Sequence, residues 1–254
     1  MNRYSITKYN PANRNDNGHY LVDEWTCPSE VGKIFNGLMF KDTDYFAIES
    51  KYVNAVIKIL KSRSISSLRI VNLSTDYMNK FFLDPSFQWL MACKFKEIEL
   101  YEDKSVHISE IEIIIRMILR NFIDCSLEID GVFKLFFGYD FYMNLNISYC
   151  DKNVFDEIEA SGLFVDCFGS TPHEINYEFT IQYGRKTQEF IEEEILLTNI
   201  TRENIRAGLG YSVEHPCNHS FKINKSNCSI FSDIIEFDFE NNDYSLCCDF
   251  EWGS

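Results

Sequence analysis

The sequence predicts an α+β fold: an antiparallel sheet with two main packing helices, then a C-terminal α+β extension ending in a β-hairpin. Three observations lead there. Apolar residues recur at three- to four-residue spacing over Tyr45–Lys61 and again over Ser109–Phe122, the signature of a helix with one buried face. Two apolar runs, Ser126–Ile129 and Val132–Phe137, flank Asp130-Gly131, which supplies the positive φ of a type I′ hairpin turn. The end of the chain alternates apolar with acidic residues, the period of a half-buried strand.

Taken in order, Met1–Gly37 is polar, with turn chemistry at Asn10-Pro11 and Asn17-Gly18. The first helix follows, carried by Tyr45, Ile48, Tyr52, Val53, Val56, Ile59 and Leu60. Leu68–Leu73 alternates as a strand, Tyr77–Lys94 is aromatic-rich without a clear period, and Glu97–Tyr101 reads as a short strand. Ser109 and Glu112 have the spacing of a capping box ahead of Ile111, Ile114, Ile115, Ile118 and Phe122. After the Asp130-Gly131 hairpin, Tyr139–Ile147 continues as a third strand. Val154–Ser161 is a short helix stopped by Gly162, which can take the left-handed position beyond the cap, and Leu163–Phe168 is a strand. A boundary falls near Ser170-Thr171-Pro172, giving a domain over 1–172 and an acidic extension over 173–254. The extension reads as a strand (Tyr177–Tyr183), helical stretches (Thr187–Leu197 and Thr201–Ala207) and a hairpin of Ile230–Phe239 with Tyr244–Trp252.

The 254 residues carry 24 Lys+Arg against 39 Asp+Glu, a formal charge of −15. Such a surface repels a phosphate backbone and excludes nucleic acid as a partner. It favours capture of a basic protein, and it also serves solubility. The 22 Phe and 14 Tyr exclude a disordered chain, which lacks the large side chains whose burial offsets ordering entropy. There are nine cysteines, an odd number without a CxxC pair, several of them in apolar strand-like runs. With no apolar leader near Met1 and no membrane-length apolar stretch, the expectation is free thiols in a cytoplasmic protein without a membrane partner. Vicinal Cys247 and Cys248 should face opposite sides of a strand.

For chemistry, His215, Cys217, His219 and Cys228 are legitimate zinc ligands, but their spacing completes no familiar metal pattern, so an ordinary loop without metal is expected. No GxSxG, GxGxxG or GxxxxGK[ST] occurs, and Gly208-Leu-Gly210 is too short for a phosphate cradle. No catalytic residue and no cofactor follow. One pattern points to recognition. Ile235, Phe237 and Phe239 alternate with Glu236, Asp238 and Glu240, and Leu246, Cys248, Phe250 and Trp252 alternate with Cys247, Asp249 and Glu251. A hairpin of the two would gather Glu236, Asp238, Asp249 and Glu251 on one face. Like charges across paired strands repel, so such a face has a cost unless a basic partner uses it. From Asn176 onward the chain has 6 basic and 14 acidic residues, net −8, more than half of the excess.

A set of motifs spread over residues 4–168 adds to this. Thr7-Lys8-Tyr9-Asn10-Pro11, Gly18-His19-Tyr20, Glu24-Trp25-Thr26 and Val31-Gly32-Lys33 resemble the opening of a widespread family of small bacterial proteins. Ile118-Leu119-Arg120, the run Phe137-Gly138-Tyr139-Asp140-Phe141-Tyr142-Met143 and Gly162-Leu163-Phe164-Val165 continue the resemblance in the same order. Members resemble immunity proteins of toxin–immunity systems, including contact-dependent inhibition. The resemblance implies a cytoplasmic, non-enzymatic protein that occludes the active site of a cognate toxin domain, a basic nuclease being the expected kind. It carries over no catalytic residues, and Tyr77–Lys94 and the segment from about Ile175 stand outside it. The aromatic run at Gly138–Tyr142 reads as sheet core and turn rather than a binding box. Two other classes remain open: a hydrolase or nucleotide-modifying enzyme with a carboxylate or His site, and a non-enzymatic adaptor.

Overall fold

The first long helix, α1 (Asp42–Ser62), starts where Asp44 accepts the backbone N–H of Lys41 at 3.0 Å, an acidic side chain on the positive end of the helix. It buries Tyr45, Tyr52, Val53, Val56, Ile59 and Leu60 of the stripe that the spacing predicts, and leaves Ile48 half-buried against the core. The computed structural model describes residues 1–17, 19–75, 84–170, 174–187, 193–198 and 200–252, with backbone alone at 139, 170, 174–177 and 249–252. The chain divides into two units, Met1–Thr171 and Pro172–Ser254. Both combine antiparallel strands with helices, so the class is α+β.

In the first unit, strands β1 (Asn2–Thr7), β4 (Ser67–Ser74), β5 (Ser105–His107), β6 (Asp124–Ile129), β7 (Phe133–Phe137), β8 (Met143–Ile147) and β9 (Phe164–Ser170) form one sheet. Its order is β5-β4-β6-β7-β8-β1-β9, and every pairing is antiparallel. The strand at the start of the chain, β1, therefore lies between β8 and β9 inside a segment that the sequence shows only as polar. A two-stranded ribbon, β2 (Ile34–Phe35) with β3 (Leu38–Met39), turns at Asn36 and Gly37, both with positive φ. Helix α2 (Ile108–Leu119) buries Ile111, Ile114, Ile115 and Ile118, which share one core with Leu68, Ile70, Leu127, Leu135 and Leu145 of the sheet. Each such side chain contributes about 1.5–3 kcal/mol on burial.

The caps and turns differ from the expected ones in detail. The α2 cap is His107, whose Nδ1 accepts the Ser109 N–H, while Glu110 reaches back to the His107 N–H; Glu112 pairs with Arg116 instead. Glu97–Tyr101 forms no strand, and the nearby Asn72 and Leu73 N–H groups go to the carboxylate of Glu102. At the Asp130-Gly131 hairpin only Gly131 has positive φ, 67°, and the Ile129–Phe133 pair encloses three residues. A type I′ turn needs positive φ at both central residues, so the turn is of another type. The aromatic Tyr77–Lys94 stretch is described from 84 on, as 3₁₀ turns at Pro85–Leu90 and Cys93–Lys96.

Helix α3 (Lys152–Ala160) completes the first unit. The second holds the sheet β11-β10-β13-β12, from β10 (Glu174–Arg185), β11 (Glu193–Leu197), β12 (Phe221–Ile223) and β13 (Asn242–Trp252), with helix α4 (Arg202–Leu209). Its core comprises Phe179, Ile181, Leu197, Ile205, Phe221, Phe231, Tyr244 and Leu246. Two expectations are corrected here. Within Thr187–Leu197 the described residues are Thr187, in a turn, and strand β11, not helix. The last two strands are antiparallel neighbours, as in a hairpin, but the partners of β13 are β12 and β10; Ile235–Phe239 lies outside any strand. Phe237 and Phe239 pack edge-on against Tyr244 at 4.9 and 5.4 Å, so the alternation reflects which side chains meet the core and not a ladder. The nine cysteines are thiols; Cys248 is buried and Cys247 half-buried, on alternate sides of β13. Among the described residues no helix is long and apolar enough to cross a membrane.

Candidate functional site

Lys8 follows directly on β1 and is the least expected buried group in the chain, its side chain only 2% exposed. Its Nζ lies 3.9 Å from the centre of the Tyr9 ring and 4.1 Å from that of Trp25, a cation–π sandwich, with Glu24 at 3.3 Å. Burial pushes the ammonium down to about 8 from the usual 10.5, and the Glu24 carboxylate offsets only part of this. The backbone is tied in as well. The Lys8 N–H donates to the Tyr52 hydroxyl at 2.8 Å, and that hydroxyl donates to the Phe141 carbonyl at 2.6 Å.

Phe141 is the second anchor. It and Asp140 have φ of 62° and 58°, the left-handed region that a bulky side chain avoids. The surrounding rings over-determine the conformation: Trp25 at 5.2 Å, Tyr52 at 6.0 Å and Tyr45 at 6.1 Å. The turn between β7 and β8 is thus fixed by side chains from the N-terminal loop and from α1. It sets the exposed Asp140 at the rim of an open cleft of about 660 Å³.

Three elements meet around this cleft: the Thr26-Cys27 loop, the end of α2 running into β6, and the β7–β8 turn. Its floor is apolar, from Ile118, Leu119, Ile123, Phe137 and Phe141, and its rim holds Asn121, Asp124 and Asp140. Among the described residues no lysine or arginine lines it. Partial desolvation raises the Asp124 carboxyl above the usual carboxylate range, against the Cys125 N–H that stabilises its ionised form. The motif residues Lys8, Trp25, Thr26, Gly138, Asp140 and Phe141 are therefore gathered by the fold, although 133 positions separate the first from the last. The reading of Gly138–Tyr142 as core and turn alone is too narrow, because Gly138, Asp140 and Phe141 also line the cleft. The motif residue Arg120 is structural. It is buried with Glu49 of α1, to which Nε and Nη2 donate at 2.5 and 2.7 Å, and its guanidinium stacks over Phe46 and Phe95. Arg116 joins the same carboxylate.

The acidic residues singled out at the C-terminus are not gathered by a hairpin. Glu236 and Asp238 are exposed on the segment outside any strand. Asp238 accepts the side-chain amide of Asn241 at 2.7 Å and the backbone N–H groups of Asn241 and Glu240, which hold its carboxyl below the usual range. Asp249 and Glu251 lie in β13, in register with Glu178 and Asn176 of β10; their side chains are outside the described residues. Among the candidate ligands, His215 is fully buried, its Nδ1 accepts the Cys217 N–H at 3.1 Å, and its ring stacks on Tyr211 at 4.3 Å. His219 packs against Phe221 at 4.1 Å, and Cys228 opens a 3₁₀ turn where its thiol points to the Lys225 carbonyl. Gly208 and Gly210 serve the helix: Ile230 leaves no room for a Cβ at 208, and Gly210 caps α4 with φ 74°. Local patterns carry no signal for the cleft, since its walls come from three distant segments. Set against protein-family models, curated proteins and solved structures, the chain matches none of them.

Proposed function

We propose that the chain is an immunity protein, which binds a cognate toxin domain and blocks its active site without turnover and without a cofactor. The observation that carries this reading is the convergence of the resembling motifs. Lys8-Tyr9, Trp25-Thr26 and Gly138–Tyr142 are far apart in sequence yet build one ring-locked platform beside an open cleft. A rigid platform suits recognition, because little ordering cost remains to be met on binding. The charge of −15 supports a basic partner, such as a nuclease with a nucleic-acid cleft. Chemistry at the platform is disfavoured by the covering of Lys8: an amine sealed between Tyr9 and Trp25 is out of reach of a substrate. The test is co-expression with the protein encoded beside it. Protection of cells from that protein, and its co-purification in stoichiometric amount, support the reading. A neighbour that is not toxic, or that kills equally in the presence of this chain, overturns it.

A further inference from the structure

We infer that the cleft bordered by Asp124 and Asp140 is the receptor for an arginine side chain of the toxin partner; this rests on the immunity reading. The geometry defines the occupant in three ways. Two carboxylates stand at the rim, from the start of β6 and from the β7–β8 turn, and among the described residues no cationic side chain lines the space. Among the described residues neither carboxylate takes part in an ion pair within 4.0 Å. The cleft also receives the C-terminal end of α2, whose last residues Ile118 and Leu119 form part of its floor, and a helix C-terminus favours a cation.

The floor decides which cation. An inorganic ion gains nothing from Ile123, Phe137 and Phe141, whereas a long side chain lays its methylenes on apolar surface and keeps its charged head at the rim. Arginine fits better than lysine. Its planar guanidinium stacks on aromatic faces and donates in a fork to a carboxylate, while an ammonium is a compact, strongly hydrated charge. The raised Asp124 carboxyl fits a partly desolvated group that gains from an incoming cation. The turn presenting Asp140 is held open by the rings around Phe141, so the receptor is formed before the partner arrives.

The test measures binding of the catalytically inactivated co-encoded protein to the full chain and to Asp124→Asn/Asp140→Asn. Asparagine tolerates the left-handed backbone at 140, so the variant keeps its fold, which thermal unfolding verifies. A control, Glu236→Gln/Asp238→Asn, removes the same number of charges on the other unit. Pairing of a desolvated charge predicts at least about a tenfold faster dissociation for the cleft variant, whereas loss of exposed charge alone slows association. The inference stands if the cleft variant dissociates at least tenfold faster and the control does not. Equal dissociation of wild type and cleft variant, or an equal effect of the control, overturns it while leaving the immunity reading intact. Absence of binding by the wild type overturns the immunity reading, and the inference with it.

Discussion

Replacing Lys8 with Met removes a charge that the fold tolerates at a cost, and the cost has a pH signature. The ammonium has its pKa brought to about 8 in the fold against 10.5 in an ordinary lysine. At about 1.4 kcal/mol per tenfold, the charged form is disfavoured by about 3 kcal/mol relative to the unfolded chain. Below pH 8 the lysine is protonated in both states and the penalty is fully present. Between pH 8 and 10.5 the unfolded chain binds more protons than the folded one, so stability rises with pH through that window. Other groups act in the opposite sense: burial raises the Cys125 thiol and the Tyr9 and Tyr52 hydroxyls, so their ionisation in the unfolded chain lowers stability at alkaline pH. Wild type and Lys8→Met share those groups, and subtracting their curves isolates Lys8. The expected outcome is a variant more stable than wild type at pH 7 by up to about 3 kcal/mol, an advantage that shrinks by about 2 kcal/mol by about pH 9.5. Met keeps the apolar stem between Tyr9 and Trp25, and Glu24, still partly exposed, turns to water. Urea unfolding across that pH range gives the answer. A variant less stable at pH 7, or a difference that does not change with pH, would show that the sandwich and Glu24 outweigh desolvation.

Three further outcomes are expected. Glu49→Ala leaves Arg120 buried without its carboxylate and should cost about 3–5 kcal/mol, read as a lower urea midpoint. Gly208→Ala places a Cβ 2.2 Å from Cγ2 of Ile230; it should cost about 1–3 kcal/mol, most of it recovered with Ile230→Ala, and an unchanged melting temperature would refute the close approach. Changing Glu236, Asp238, Asp249 and Glu251 together to Gln or Asn should leave the fold intact, since an amide oxygen at position 238 still accepts the Glu240 and Asn241 N–H groups. The same change should slow association with the proposed toxin partner and flatten its salt dependence, and a variant that associates as fast as wild type at low salt would remove the C-terminal acids from the proposed recognition.

What was legible in the chain is what is local. The α1 and α2 stripes are fixed by 3.6-residue periodicity, and the structure buries the residues that the spacing names except Ile48, which is half-buried, with Phe122 buried just beyond the end of α2. The turn at Asn36-Gly37, between Ile34-Phe35 and Leu38-Met39, was equally local; reading Met1–Gly37 as uniformly polar hid it. Strand β11 shows the limit. Glu192–Leu197 has helical composition, yet Ile195 and Leu197 pair beside Ile181 and Phe179 of β10, and pairing overrides propensity. The first strand of the terminal hairpin was misplaced at Ile230–Phe239 for a related reason. Alternation specifies that Phe237 and Phe239 face a core, but it does not specify which strand lies alongside.

The candidate site lies beyond both kinds of signal. Asp140 and Phe141 sit in a run whose composition favours a strand, and nothing adjacent to them calls for left-handed backbone. The conformation is imposed by Trp25, Tyr45 and Tyr52, from a loop and a helix far upstream, and by the hydroxyl of Tyr52 on the Phe141 carbonyl. The same hydroxyl accepts from Lys8, so the buried lysine and the strained turn are two ends of one hydrogen-bonded chain. Backbone strain of this kind costs about 1–3 kcal/mol per residue, and a buried lysine adds to it. Packing alone would be served as well by an ordinary turn and an apolar residue at position 8. Two unfavourable features joined at one point, with an open acidic cleft beside them, therefore fit the proposed recognition role better than a role in stability.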